Sequence, residues 1–146
     1  MENEGATQTV PSELPGQPGK PKLPEVNEAD VLGRISNNPK VLMVGQPGRQ
    51  AIMARFTLAV NRSFARSGGK PRVETAYVPV VAWHSLAKQC ATAGKGSALR
   101  VTGRLKTWEL EGRKFRWEIE ADGVQILERR GVAPGLPSAQ EELLPN

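Results

Sequence analysis

The sequence predicts a mainly β protein: one five-stranded barrel with a single short helix between its third and fourth strands and a tail at each end. Three observations predict it. Apolar residues recur at every second position in several separate stretches, the period of a strand with one buried face. Only one short stretch, around residues 84–94, has helical spacing. The ends of the chain are rich in Pro, Gly, Ser and Gln and poor in aromatics, so they bury too little apolar area to offset the entropy of ordering. Residues 1–28 and 131–146 therefore read as disordered or flexible tails around one domain at 29–130, a size that supports a single core.

The elements follow in order. "DVLGRIS" and "VLMV" read as one strand broken at "NNP". In "AIMARFTLAVN", Ile52, Ala54, Phe56, Leu58 and Val60 alternate with Met53, Arg55, Thr57 and Asn61, which gives a strand over 51–61. "SFARSGGKPRVE" breaks the pattern with Gly68, Gly69 and Pro71, and so forms a long hairpin. "TAYVPVVAW" puts Ala76, Val78, Val80 and Ala82 on one face and Tyr77, Pro79, Val81 and Trp83 on the other, with Pro79 suggesting an edge or a bulge. In "SALRVTGRLKTWEL", Leu99, Val101 and Leu105 face one way, and Arg100, Arg104, Lys106, Trp108 and Leu110 the other. After a turn at Glu111 and Gly112, "RKFRWEIEA" returns with Phe115, Trp117 and Ile119 on one face, and "VQILE" follows Gly123.

The helical stretch, "HSLAKQCATAG", has Ser85 as a candidate cap and Gly94 as a stop, about three turns in all. It also holds the only histidine and the only cysteine of the chain. On a helix, positions 84 and 90 lie roughly 240° apart, so His84 and Cys90 face away from each other. A thiol nucleophile needs its imidazole within hydrogen-bonding reach, and a zinc site needs three or four ligands, so this pair points to neither catalysis nor a metal. His84 is expected to end a strand, and Cys90 to pack the helix onto the sheet. Glu109, Glu111, Glu118 and Glu120 alternate with basic residues and do not form the carboxylate cluster of a hydrolase or nuclease, so no enzyme activity, metal or cofactor is expected. There is no apolar run long enough for a membrane span and no apolar signal core at the N-terminus, so the expected location is the cytoplasm, with the nucleoid.

Charge is unevenly spread. Residues 29–130 carry 18 Lys+Arg against eight Asp+Glu, a net of +10, while both tails are acidic: five Glu against two Lys in 1–28, and two Glu in 131–146. A domain with such a field attracts anionic polymers, above all nucleic acid.

Three strands, a helix and a long final hairpin are the order of an OB-fold, a five-stranded Greek-key barrel whose sheet face and loops bind oligonucleotides. Over about residues 30–130, "ARFTLAVNRSF", "YVPVVAWHSLAKQC", "GKGSALRVTGRL" and "EADGVQILE", in that order and spacing, resemble the bacterial single-stranded DNA-binding protein family. The resemblance implies an OB-fold, usually a homotetramer, that coats single-stranded DNA in replication, recombination and repair. It places the family's stacking positions on Phe64, Tyr77, Trp83 and Leu110. Leu110 departs from the aromatic common there, and Trp108, two residues earlier on the same face, is the expected substitute.

Binding of single strands without sequence preference needs aromatic platforms for bases and cations for phosphates. Arg62, Arg66, Lys70 and Arg72 surround the Gly-rich hairpin, and Arg100, Arg104 and Lys106 share a face with Trp108; these seven are assigned to phosphates. Phe115 and Trp117 alternate in step with Ile119 and are expected in core or subunit packing, outside the primary site. The tail "EELLPN" keeps only Glu141 and Glu142 before an apolar tip that lacks an aromatic, whereas the resembled family docks on replication and repair enzymes through a more acidic tail of this kind. Docking through it is expected to be weak or redirected. The alternatives are an accessory primosome-type protein or an RNA-binding OB protein.

Overall fold

The computed structural model describes residues 21–65 and 67–137. They form β1 (Ala29–Ile35), β2 (Lys40–Val44), β3 (Ala51–Phe64), β4 (Arg72–Trp83), α1 (His84–Cys90), β5 (Ala98–Leu110) and β6 (Lys114–Glu128). β1 pairs with β5, β5 with β6, β6 with β4, β4 with β3, and β3 again with β1 through Arg34↔Ala59 and Ile35↔Leu58. The pairings thus return to their starting strand and make a closed ring of five strands. β2 continues beside β3 beyond the break at Asn37–Pro39, as expected for one interrupted strand. The β4–β6 contact is parallel, Val80↔Ile119 and Val81↔Glu120, and α1 with β5 forms the crossover that such a contact requires.

The alternating apolar residues fill the ring. Ile35, Phe56, Leu58, Val80, Leu99, Val101 and Ile119 are buried together, and α1 packs against β3, β4 and β6 to add Ala87 and Cys90. Truncating one of the fully buried members, such as Leu58→Ala, costs about 2–5 kcal/mol in lost transfer energy and cavity. Gly103 sits where β5 meets this core most tightly, since a side chain there would collide with the Glu120 carbonyl.

Several details differ from the sequence reading. α1 has two turns: it ends at Cys90, and Ala91 is its C-cap. Ser85 does not cap it. Trp83 occupies the cap position in an extended conformation with no side-chain hydrogen bond, because the helix starts directly from the strand. Gly94 does not stop the helix but gives close backbone approach, and a Cβ there would lie 2.5 Å from the Val132 carbonyl oxygen. β6 runs unbroken through Gly123. Asp122 bulges between the pairs Thr102↔Gly123 and Gly103↔Ala121 and accepts a 3.0 Å hydrogen bond from the Thr102 hydroxyl. Pro79 sits opposite Thr57, one residue before the pairing with β6 begins, so its missing N–H leaves no ladder bond unmade.

The ends of the domain are tied to it. The Asn27 amide donates to the Leu105 carbonyl, and its oxygen accepts from the Leu105 N–H, both at 2.9 Å. Beyond β6, Gly94 N–H donates to the Arg130 carbonyl at 3.1 Å, and Gly135 N–H to the Ala91 carbonyl at 3.0 Å, so residues 131–137 run back along α1. The "EELLPN" segment lies outside the described residues, as do residues 1–20.

Candidate nucleic-acid interface

Two of the hairpins are longer than the barrel. β1 stops pairing with β5 at Gly103, and the β4–β6 contact involves only Val80–Val81 and Ile119–Glu120, so β5 and β6 pair only with each other from Arg104 to Glu118. Likewise β3 and β4 pair only with each other over 60–64 and 72–76. Two arms therefore project from the ring. Between the β5–β6 arm and the barrel wall lies an open cleft of about 450 Å³, lined by Asn37, Asn38, Arg55, Thr57, Pro79, Trp108, Phe115, Arg116 and Trp117 among others.

Strand register decides which side chains share a face. Directly paired residues of antiparallel strands point the same way. The pairs Met53↔Trp83, Arg55↔Val81, Thr57↔Pro79 and Ala59↔Tyr77 therefore define the outer face of β3–β4, opposite the core pairs Phe56↔Val80 and Leu58↔Val78. The pairs Arg104↔Glu120, Lys106↔Glu118 and Trp108↔Arg116 define the outer face of β5–β6, and Val81↔Glu120 joins the two. One continuous outer face over β3, β4, β6 and β5 thus carries Tyr77, Trp83, Trp108, Arg104 and Lys106 of the predicted residues. Tyr77 is 65% exposed, while Trp83 and Trp108 are half-buried.

The remaining predicted residues lie elsewhere. Phe64 pairs with Arg72, and Arg62 with Glu74, on the opposite face of the β3–β4 arm from Tyr77. There the Arg62 guanidinium stacks 5.2 Å from the centre of the Phe64 ring and bonds Glu74 at 3.4 Å. Lys70 and Arg72 line a shallow cleft at the arm's tip with Ser67, Gly69 and Pro71, and neither forms an ion pair among the described residues. Arg66 lies outside the described residues. Arg100 is on the barrel wall beside β1 and donates to both carboxylate oxygens of Asp30, at 2.9 and 2.5 Å. The hydrogen bond from Arg100 holds the Asp30 carboxyl below the usual carboxylate range and raises the guanidinium in turn.

The cations on the shared face also have carboxylate neighbours: Arg104 lies 2.6 Å and Lys106 3.8 Å from Glu120, and Arg55 lies 3.4 Å from Glu118. Arg104 and Lys106 are themselves about half exposed or more, and pairs with such exposed cations are worth about 0–1 kcal/mol, so a phosphate competes with Glu120 for them at little cost; Glu118 is buried, so Arg55 is the more firmly held of the three.

Four residues outside the predicted set also line the cleft. Phe115 and Trp117 are not core residues of this chain: they are 70% and 43% exposed and line the cleft with Trp108. Arg55 and Arg116 supply cations there. Strand length was the available signal. At about 3.3 Å per residue, the 15 residues of β6 extend roughly 50 Å, far more than a small barrel wall needs, so alternation outlasts the core it usually reports. Leu105, on the expected buried face, is 48% exposed for the same reason.

His84 and Cys90 are separated as expected. His84 is exposed beside Trp83, whereas Cys90 is fully buried, and burial pushes its thiol up to about 12. Among the described residues, no group of three His, Cys, Asp or Glu side chains is placed to hold a metal ion.

A closed five-stranded ring with a helix in its crossover, two projecting arms and a cationic, aromatic cleft beside one of them defines the chain as an OB-fold module of the oligonucleotide-binding class. Residues 26–127 match the Single-strand binding protein family. The chain belongs to that family. It is 35% identical over 115 residues to a single-stranded DNA-binding protein of Streptococcus mutans, covering 75% of this chain and 67% of the relative. It is 32% identical over 126 residues to one of Caldanaerobacter subterraneus, covering 81% and 80%. Among solved structures, a Plasmodium falciparum SSB complex with ssDNA superposes with a TM-score of 0.59 at 18% identity, over 75% of this chain and 99% of that one. A deletion mutant of the Thermus aquaticus single-stranded DNA binding protein gives 0.58 at 25% identity, over 73% of this chain and 53% of that one.

Proposed function

We propose that the chain binds single-stranded DNA with little sequence preference and coats it during replication, recombination and repair, as a binding protein without catalysis. The observation that carries this reading is the continuous face on which Tyr77, Trp83 and Trp108 alternate with Arg104, Lys106 and Arg55. Every base has a π-face, so aromatic platforms select unstacked strands without selecting a sequence, and the cations follow the backbone. Single-stranded DNA is named in the relatives' own names and in the Plasmodium falciparum complex.

In this reading the strand crosses the outer face and turns round the tip of the β3–β4 arm, where Lys70 and Arg72 meet phosphates and Phe64 offers a further platform on the far side; Arg66, outside the described residues, is assigned to phosphate from the sequence alone. Arg100, held by Asp30, contributes mainly to the general positive field.

The functional unit is a homo-oligomer, most simply a tetramer, because one OB domain covers only about 4–16 nucleotides and coating needs several. Two surfaces support this. β1 from Ala29 to Gly33 pairs on one side only among the described residues, with Leu32 exposed, and Phe115 and Trp117 leave apolar rings at the arm. Replication or repair proteins are the remaining partners, bound weakly through the C-terminal tail.

Fluorescence titration with matched DNA and RNA oligomers tests the reading. Quenching of Trp83 and Trp108 by DNA, at lower concentrations than RNA requires, is the expected result. Preference for RNA would assign the chain to RNA binding instead.

A further inference from the structure

The chain beyond β6 does not leave the domain at once. Gly94 N–H donates to the Arg130 carbonyl and Gly135 N–H to the Ala91 carbonyl, which holds residues 131–137 against the end of α1. Gly94 lets the segment lie this close, since a Cβ there would collide with the Val132 backbone. Leu136 and Pro137 are thereby carried to the rim of an open cleft of about 390 Å³, lined by Met43, Gln50, Ile52, Lys88, Leu136 and Pro137 among others, where the end of β2 and the start of β3 meet α1.

Two features of this cleft are incomplete. The Gln50 amide nitrogen is buried yet has no hydrogen-bond partner, the one such side-chain atom among the described residues. A donor that has lost water and gained no acceptor is costly, so folded proteins satisfy nearly all of them. The cleft is also apolar and uncovered: Ile52 is buried, Met43 pairs with it and is half-buried, and Leu136 at the rim is exposed. Lys88 adds an exposed cation at its edge. An occupant that completes the cleft brings apolar side chains, negative charge and an oxygen acceptor.

The nine residues that follow Pro137, "SAQEELLPN", have this chemistry, with Glu141 and Glu142 directly before Leu143 and Leu144. They also start at the cleft. At about 3.3 Å per residue, an extended chain from Pro137 reaches roughly 13 Å at Glu141 and roughly 23 Å at Leu144, enough to cross the cleft and turn back into it.

We propose that residues 138–146 dock in this cleft on their own domain, with Leu143 and Leu144 against Met43 and Leu136, the two glutamates at Lys88, and an oxygen of the segment on the Gln50 amide. Docked in this way, the acidic tail is withheld from other proteins until it is displaced. The inference does not depend on which nucleic acid the domain binds.

NMR of the full chain tests it, because the Met43 methyl and the Gln50 side-chain amide report on the cleft, while the methyl of Met53, buried in β3, reports on the fold. Deleting residues 138–146 is expected to shift the Met43 and Gln50 signals and to leave Met53 in place. Lys88→Glu is expected to produce the same shifts, and adding Glu141→Lys and Glu142→Lys to it to reverse them. Cleft signals identical with and without residues 138–146 would overturn the proposal. A nitroxide attached through Asn146→Cys, with Cys90 protected by its burial, identifies whose tail is bound. It is expected to broaden the Met43 methyl when both are on one chain. Equal broadening when nitroxide and isotope are on different chains of a mixed sample would give the cleft to the tail of a second copy and overturn docking on the chain's own domain.

Discussion

Arg55 on β3 reaches across β4 to Glu118 on β6, 3.4 Å away, on the wall of the cleft beside the β5–β6 arm. Glu118 is nearly buried, whereas half of the Arg55 side chain is open. The pair places a carboxylate within a surface that otherwise gathers cations. Glu118→Gln removes that charge and frees Arg55 for a phosphate. Binding to single-stranded DNA is expected to tighten, and the salt dependence to steepen by about 0.7 in log–log slope, one extra phosphate. Unchanged affinity and slope would place the strand elsewhere.

The aromatic residues separate by face. Trp83→Ala and Tyr77→Ala are each expected to cost about 1–3 kcal/mol of binding to short and long oligomers alike. Phe64→Ala, on the other side of the β3–β4 arm, is expected to weaken only oligomers long enough to round the tip. Circular dichroism melts check that each variant folds. Unfolding of Trp83→Ala would show that the ring belongs to the core.

Lys70 and Arg72 at the arm tip bind no base in this account. Lys70→Ala or Arg72→Ala is expected to weaken all sequences equally and to reduce the salt slope by about 0.7 each. A loss confined to particular sequences would indicate base contacts.

Titration makes further predictions. Arg100 lowers the Asp30 carboxyl, and Arg34 and Arg130 lower Glu128, so both groups bind protons less readily when folded than when unfolded. Stability from these pairs is complete above the unfolded carboxylate range near pH 4 and is lost as the pH falls through the lower folded values. Thermal melts in acid should therefore show a shallower fall for Asp30→Asn than for the parent protein. The Cys90 thiol has the opposite sign: pushed up to about 12, it keeps its proton in the folded state while the unfolded chain loses it, so stability declines as the pH rises from about 9. At pH 8 a thiol reagent should modify Cys90 only as fast as the domain opens, and rapid reaction with the native protein would contradict its burial.

The barrel was legible in the sequence because its wall residues obey one rule. Phe56 and Leu58, Val78 and Val80, and Leu99 and Val101 alternate with outward residues, and the ring buries all six. Beyond the rim the same rule no longer reports a core: Leu105, Phe115 and Trp117 keep the alternation yet are 48%, 70% and 43% exposed. Periodicity records which residues share a face, not whether anything covers that face. Tyr77, Trp83 and Trp108 could be placed on outward faces from their spacing alone, but their union depended on the β4–β6 pairing, which joins strands far apart in sequence. The opposite orientation of Phe64 followed from even spacing against odd. Ion pairing was beyond the sequence altogether: Arg100 and Arg104 look alike four residues apart, yet Asp30 on β1 holds the first by two bonds and Glu120 on β6 the second by one.

The central claim is that unstacked bases lie on the Tyr77–Trp83–Trp108 face. Competition tests it most directly: a labelled thymidine oligomer bound to the protein at moderate salt is challenged with unlabelled single strand or with duplex of the same length. Bases are hidden in a duplex while its phosphates remain open, so the account predicts efficient displacement by single strand and displacement by duplex only at far higher concentration. Equal competition by the two would show that charge alone holds the nucleic acid and would contradict the aromatic site.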